Sequence, residues 1–163
     1  MLKKMGLKKI LVTTSALFVI GLLYVFPSKN IKINRSINYV DEEKLVTVYL
    51  LDKNSYVSEV DSSIGTEELE NKLKEKLLII TNNSEYKNKV PKNFKALIPA
   101  NTKILSLKIE DKTVTVDFSK ELLGVSSPLE EKMIEAIIFT LTSEKEVNKV
   151  IINVEGQKLD RLP

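Results

Sequence analysis

The chain has 163 residues, 43% of them hydrophobic and 29% charged, which suits one globular domain with extra segments rather than a disordered tract. It has neither cysteine nor histidine, so disulfides, thiolate nucleophiles, Cys/His zinc sites and imidazole general bases are excluded. The net charge of +3 is uneven: Lys3, Lys4, Lys8, Lys9 and Lys29 put +5 into the first thirty residues, which hold no acid, so the remainder carries −2 and lacks an electrostatic footprint for nucleic acid.

Residues 1–9 form a basic tail. Residues 10–26, ILVTTSALFVIGLLYVF, carry no charge. As a helix this run would be about 25 Å long, near the short limit for a hydrocarbon core of about 30 Å. Flanking lysines extend such a span by snorkelling, and Tyr24 and Phe26 suit the distal interface. The length of the run and the lack of an Ala-x-Ala-like site favour an uncleaved signal anchor over a cleaved signal peptide. An apolar surface all round behind a basic head argues against a buried core helix. The lysine excess ahead of the run puts the N-terminus in the cytoplasm, so the expectation is a single-pass cell-membrane protein with an extracytoplasmic domain. Residues 27–44 are polar and read as a linker, with a stray edge strand through Ile31, Ile33 and Ile37 as the alternative.

The expected domain covers 45–163. Its first strand is 45–51, LVTVYLL, and its second 56–61, with turn chemistry at 52–55 between them. A helix follows, capped by Thr66, with Glu67 and Glu68 at its positive end. Leu69, Leu73, Leu77 and Ile80 recur at helical spacing, with Lys72, Lys74 and Lys76 interspersed, and Asn82-Asn83 provides a stop. Residues 84–100 read as a loop bearing Lys87, Lys89, Lys92 and Lys95 with Tyr86 and Phe94. A site for an anionic wall polymer or a nucleic-acid strand competes here with a solvated loop pinned by Phe94, Leu97 and Ile98. Glu85 and the scarcity of aromatics favour the solvated loop.

A hairpin comes next. Leu105, Leu107 and Ile109, then Val114, Val116 and Phe118, alternate with polar residues about a turn at Asp111-Lys112. A lone hairpin is marginal in water, so its apolar face needs a cover. Ser127-Pro128-Leu129-Glu130 reads as a capping box with proline at the first helical position. Leu129, Met133, Ala136, Ile137 and Leu141 share the buried face of that helix, widened by Ile134 and Ile138. In the last strand, 147–154, Val150, Ile152 and Val154 point one way and Lys149, Ile151 and Asn153 the other; Glu155-Gly156 ends it.

This order predicts an α/β (α+β) two-layer sandwich: one mixed sheet of about five strands, with two helices on one face and a parallel crossover into the last strand. The other face stays partly open and bears Thr113, Thr115, Asp117, Ile151 and Asn153, the candidate interaction surface for another subunit. Asp117 with Glu121, or Glu130 with Glu131, would cut glycans only if a pair flanked a cleft at about 5–10 Å. Helix-start acids and a strand-end hydrogen bond account for these residues instead. Ser119 and Lys120 are strand neighbours that point apart, and no glycine-rich phosphate loop is present. No catalytic, cofactor-binding or metal-binding residue is assigned, and no enzyme is expected.

Taken together, Pro99 and Thr102, Val116-Asp117-Phe118-Ser119, Glu130-Glu131, Thr140-Leu141-Thr142, Lys149-Val150 and Glu155-Gly156 resemble the signature of the GerMN domain family of sporulation and spore-germination proteins. Asn101 stands where the family pattern has glycine, a replacement expected to rest on asparagine's tolerance of left-handed geometry, and Glu155 where it has aspartate. One copy is present, and a membrane helix would stand in for a lipid anchor on cysteine. The resemblance implies a ring-building-motif-like fold and an extracytoplasmic role in a spore former, within an envelope complex or beside wall-processing domains, with no catalytic residues. The combined expectation is a non-catalytic membrane-anchored assembly module, binding protein partners or itself and no nucleic acid. The alternative is a peptidoglycan-binding or wall-remodelling accessory protein, with a carboxylate-dependent glycan hydrolase further behind.

Overall fold

The computed structural model describes residues 43–159; the expected basic tail, the membrane helix at 10–26 and most of the linker lie outside the described residues. No helix among the described residues is long and apolar enough to cross a membrane. Strands β1 (Lys44–Asp52) and β2 (Val57–Ile64) form an antiparallel hairpin. Its turn is set by Asp52, whose Oδ1 accepts the N–H groups of Asn54 and Tyr56, each at 2.8 Å. Val46, Val48 and Leu50 alternate inward with Val60 and Ile64, while Leu45 faces solvent.

Helix α1 (Leu69–Ile79) starts later than Thr66 allows. Glu68 is its N-cap and makes no side-chain capping bond, so Thr66 lies outside the helix. Leu73, Leu77, Ile79 and Ile80 are buried, as the helical spacing requires. The segment expected as a plain loop holds a 3-10 turn (Lys87–Lys89) and a short strand, β3 (Phe94–Lys95), paired with the end of β1. Leu97 and Ile98 are buried, and both their N–H groups bond the Ile80 carbonyl. The loop is pinned there as the sequence suggested.

β4 (Ile104–Glu110) and β5 (Thr113–Phe118) form the expected hairpin, with one correction. A bulge between Ile104 and Ser106 turns Leu105 outward, 48% exposed, and packs Ile104 against the core instead. One extra residue in a strand flips whatever precedes it to the other face. Asp111 and Lys112 both hold positive φ, 46° and 60°, as a two-residue hairpin turn demands of its central pair. The Lys112 carbonyl accepts the N–H groups of Asn148 and Lys149, so the chain entering β6 holds this strained turn in place.

A 3-10 turn (Lys120–Gly124) leads into helix α2 (Ser127–Thr142). Its N-cap is Ser126, with no side-chain capping bond. The helix thus begins one residue before the capping-box spacing permits, and Ser127 and Glu130 miss the positions from which they could cap each other. Met133, Ala136, Ile137, Thr140 and Leu141 are buried; Ile138 is exposed and does not widen the buried stripe. β6 (Lys149–Val154) then runs parallel to β5, in register Val116 with Ile152. Glu155 (φ 51°) and Gly156 (φ 77°) turn it into an unanticipated strand, β7 (Gln157–Lys158).

The strands make two sheets, β2-β1-β3 and β4-β5-β6-β7, in place of the single mixed sheet of about five strands. The reason lies at one edge of β1. Past β3, that edge is covered by side chains of α2 and its cap: Thr140 Oγ1 accepts the Tyr49 N–H at 2.9 Å, and Ser143 Oγ, which donates to the Thr140 carbonyl at 2.9 Å, also lies 3.3 Å from the Thr47 carbonyl. With the helix end packed on this edge, no further strand pairs there. Each helix packs against strands of both sheets rather than covering one face of one sheet, and all of them bury a common apolar cluster.

At the same junction sits a lysine the helical pattern placed among polar neighbours. Lys76 is fully buried. Its ammonium donates to Glu144 Oε1 at 2.7 Å and Ser143 Oγ at 2.6 Å, while Lys72 donates to Glu144 Oε2 at 2.5 Å. Burial pushes the Lys76 ammonium down, against the opposing pull of Glu144. Burial alone would raise the Glu144 carboxyl, but hydrogen bonds from Lys72 and Lys76, with their charges, outweigh it and hold the group below its ordinary value.

Removing one partner of a buried pair is costlier than replacing the cation by an apolar side chain while a second cation remains. Urea unfolding should therefore show Glu144→Ala costing about 3–5 kcal/mol and Lys76→Met less than about 1 kcal/mol. Equal losses would refute this asymmetry. Because the Glu144 value is depressed on folding, its contribution is complete above the unfolded value near 4.5 and is lost as pH falls through the lower folded value. Glu144→Gln should flatten that acid branch of the stability curve.

Candidate functional site

The five candidate residues occupy one face of the parallel pair β5 and β6. Thr113, Thr115 and Asp117 alternate outward along β5, opposite the buried Val114, Val116 and Phe118. Ile151 and Asn153 do the same along β6. The ladder aligns Thr115 with Ile151 and Asp117 with Asn153, so the five form adjoining rows. None of them is buried; all are half-buried. The rows extend to β4 on one side, where Lys108 pairs with Thr115 and Glu110 with Thr113, and to β7 on the other, where Lys158 pairs with Asn153. Lys108, Glu110, Lys149 and Lys158 are exposed. The face therefore has an uncharged centre of threonines and one isoleucine, bounded by charges of both signs. Lys108 and Glu110 were visible in the β4 alternation; Lys158 was not, because two residues carry no period.

Of the residues carrying the family resemblance, Pro99, Thr102, Asp117, Phe118, Ser119, Glu155 and Gly156 gather at one end of the second sheet. Thr102 N–H closes a turn on the Pro99 carbonyl at 3.1 Å, and Asn101 takes no positive φ, so glycine-like geometry is not what admits it there. Ser119 and Lys103 exchange bonds: Ser119 N–H donates to the Lys103 carbonyl (2.9 Å), and Ser119 Oγ accepts the Lys103 N–H (3.0 Å). Asp117 Oδ1 accepts the Gly156 N–H at 3.0 Å. Glu155 donates its N–H to the Phe118 carbonyl (2.9 Å), and its Oε1 accepts the Lys120 N–H (3.0 Å). Three chain segments are thereby stitched where β4 starts, β5 ends and β6 turns into β7. Thr140, farther along, holds the β1 edge. The side-chain oxygens of Asp117, Ser119, Glu155 and Thr140 thus act on backbone groups of their own fold, while the buried Thr102 Oγ1 has no hydrogen-bond partner among the described residues.

Asp117 is thus a strand-end hydrogen-bonder, as its position suggested. Glu121 lies in the adjoining 3-10 turn, where the Ser119 hydroxyl, a backbone N–H and the nearby lysines hold its carboxyl below the ordinary value. Among the described residues no cluster of three or more acids could hold a metal ion.

Comparison with known proteins gives a consistent picture. A family described as Germane, sporulation and spore germination, matches residues 47–160. The chain is 28% identical over 116 residues to the spore germination protein GerM of Bacillus subtilis (strain 168), covering 71% of this chain and 31% of that protein. It therefore spans less than a third of that relative's length. Among solved structures it resembles the tandem GerMN domains of the sporulation protein GerM from Bacillus subtilis, with TM-score 0.69 and 26% identity over 74% of this chain and 42% of that one. The first GerMN domain of the same protein gives TM-score 0.68 and 26% identity, with 74% of this chain and 89% of that chain covered.

If Asp117 serves the fold, its value lies in the acceptor atom rather than in its acidity. Asp117→Asn, which keeps Oδ1, should cost less than about 1 kcal/mol of stability, and Asp117→Ala about 1.5–3 kcal/mol. Chemical denaturation compares the two, and an Asn variant as unstable as the Ala variant would contradict the assignment.

Proposed function

This chain belongs to the Germane family of sporulation and spore germination domains, and from that premise we propose that it is a non-catalytic assembly module of a bacterial envelope, tethered to the cell membrane by residues 10–26 and displayed outside it. The observation that carries this reading is the open face of β5 and β6. Parallel strand pairs are normally covered on both faces, because the connections that make them parallel lay helices over the sheet. Here one face of the parallel pair meets the shared core while the other presents half-buried Thr113, Thr115, Asp117, Ile151 and Asn153. A four-stranded sheet face with a neutral centre and a mixed-charge rim suits a protein partner or a second copy of the chain.

The tether and the platform make separate demands on experiment. A photo-cross-linking residue at Thr115 or Ile151 in intact cells should capture a protein partner, while one at Lys74, on the exposed side of α1, should not. Capture from Lys74 alone would move the interface elsewhere. External protease should digest the domain in protoplasts; a protected domain would place it on the other side of the membrane.

A further inference from the structure

The loop between α1 and β4 encloses a half-open cavity of about 490 Å³. This is within the range of small-molecule sites, roughly 300–1,000 Å³. Lys87, Lys92 and Lys95 line it together with Asn82, Asn83 and Phe94, and no acidic residue contributes to its wall. The loop sorts its four lysines. Lys89 turns away to serve the fold, donating to the Ser63 carbonyl at 2.6 Å and lying 3.5 Å from Glu75. The other three have no carboxylate within ion-pair distance among the described residues, whereas Lys44, Lys72, Lys74 and Lys76 all do. Asn83 gives its Oδ1 to the Tyr86 N–H at 3.0 Å, which leaves its amide nitrogen as a spare donor beside the lysines. Apart from Thr81, whose hydroxyl donates to the Leu77 carbonyl, the rest of the lining is apolar: Val90, Pro91 and Ala96 around the half-buried Phe94.

We propose that this cavity binds a phosphate-bearing ligand, its anionic group held by Lys87, Lys92 and Lys95 and its carbon skeleton laid against Phe94. Three lysines in the wall of one cavity give it a positive potential that the rest of the domain, with its small negative balance, does not supply. Separate point charges suit the spread charge of a phosphate, whereas a planar carboxylate is best matched by an arginine fork, and no arginine lines the cavity. The apolar wall selects an organic phosphate over the bare ion. Two sources share this chemistry, a soluble phosphate ester and the headgroup of an anionic phospholipid. The site stands on the loop and not on the β5 and β6 face, so it and the assembly reading fail independently.

The test uses the full-length chain in phosphatidylcholine nanodiscs, followed by amide chemical shifts of Asn82, Asn83 and Lys95. One arm titrates glycerol 3-phosphate; the other replaces half of the phosphatidylcholine by phosphatidylglycerol. Saturable, salt-weakened shifts in the first arm identify a soluble ester, and shifts confined to the second identify a headgroup. Either supports the site provided that the combined Lys87→Gln, Lys92→Gln and Lys95→Gln variant loses at least about tenfold in affinity, while Lys108→Gln with Lys149→Gln changes it less than about twofold. All five lysines are exposed, so both variants should fold. Shifts in neither arm, binding unchanged in the triple variant, or equal losses in both variants would overturn the proposal.

Discussion

Residues 140–144, at the end of α2, fix how the rest of the domain is arranged. Thr140 satisfies the Tyr49 N–H on the β1 edge, Ser143 covers that edge beside Thr47, and Glu144 receives the ammonium groups of Lys72 and Lys76 from α1. One helical turn therefore joins both helices to the first sheet. The last turn of α2 carries no basic residue of its own, so the two α1 lysines also place positive charge beside its partly negative end. A buried ion pair of this kind is a weak source of net stability, since desolvation offsets most of the attraction. Its effect is selective: any packing that pulls α1 from α2 leaves a charge buried without a partner, and such packings are excluded at high cost.

The division into two sheets follows from that turn. Had the β1 edge remained free, a strand from the second half of the chain could have joined it to form the single sheet. Instead the second sheet builds outward from the β4 and β5 hairpin, and β6 joins it by a parallel crossover through α2. The inner faces of both sheets close on one apolar cluster, and the remaining face of β5 and β6 stays open.

Much of this was legible in the sequence wherever a residue's environment is decided by period alone. The central hairpin, the buried Met133, Ala136, Ile137 and Leu141, and the inward Ile152 and Val154 all follow from spacings of two or of three and four. Elsewhere a local rule met a tertiary one. Lys76 is buried because Glu144, far along the chain, lies beside it, and no window on α1 contains that acid. Leu105 faces out because a bulge shifts the register by one residue. The capping residues lost their positions to a start moved by one residue at α2 and later than expected at α1. Strands β3 and β7 have two residues each, too few to show any alternation. The five candidate face residues were readable because they are the complements of the buried set on β5 and β6.

The family signature and the two candidate surfaces divide the work. Three signature residues spend side-chain oxygens on the backbone of their own domain: Asp117 on Gly156, Ser119 on Lys103, Glu155 on Lys120. Bonds of this kind hold a fold together and leave open what it binds. Side chains without such a duty lie on the Thr115 and Ile151 face and at Lys87, Lys92 and Lys95 of the 84–100 loop. Asp117 alone belongs to both sets. Its bond to Gly156 fixes the turn after β6 and with it one end of the open face, so a single carboxylate serves the fold and borders the candidate surface.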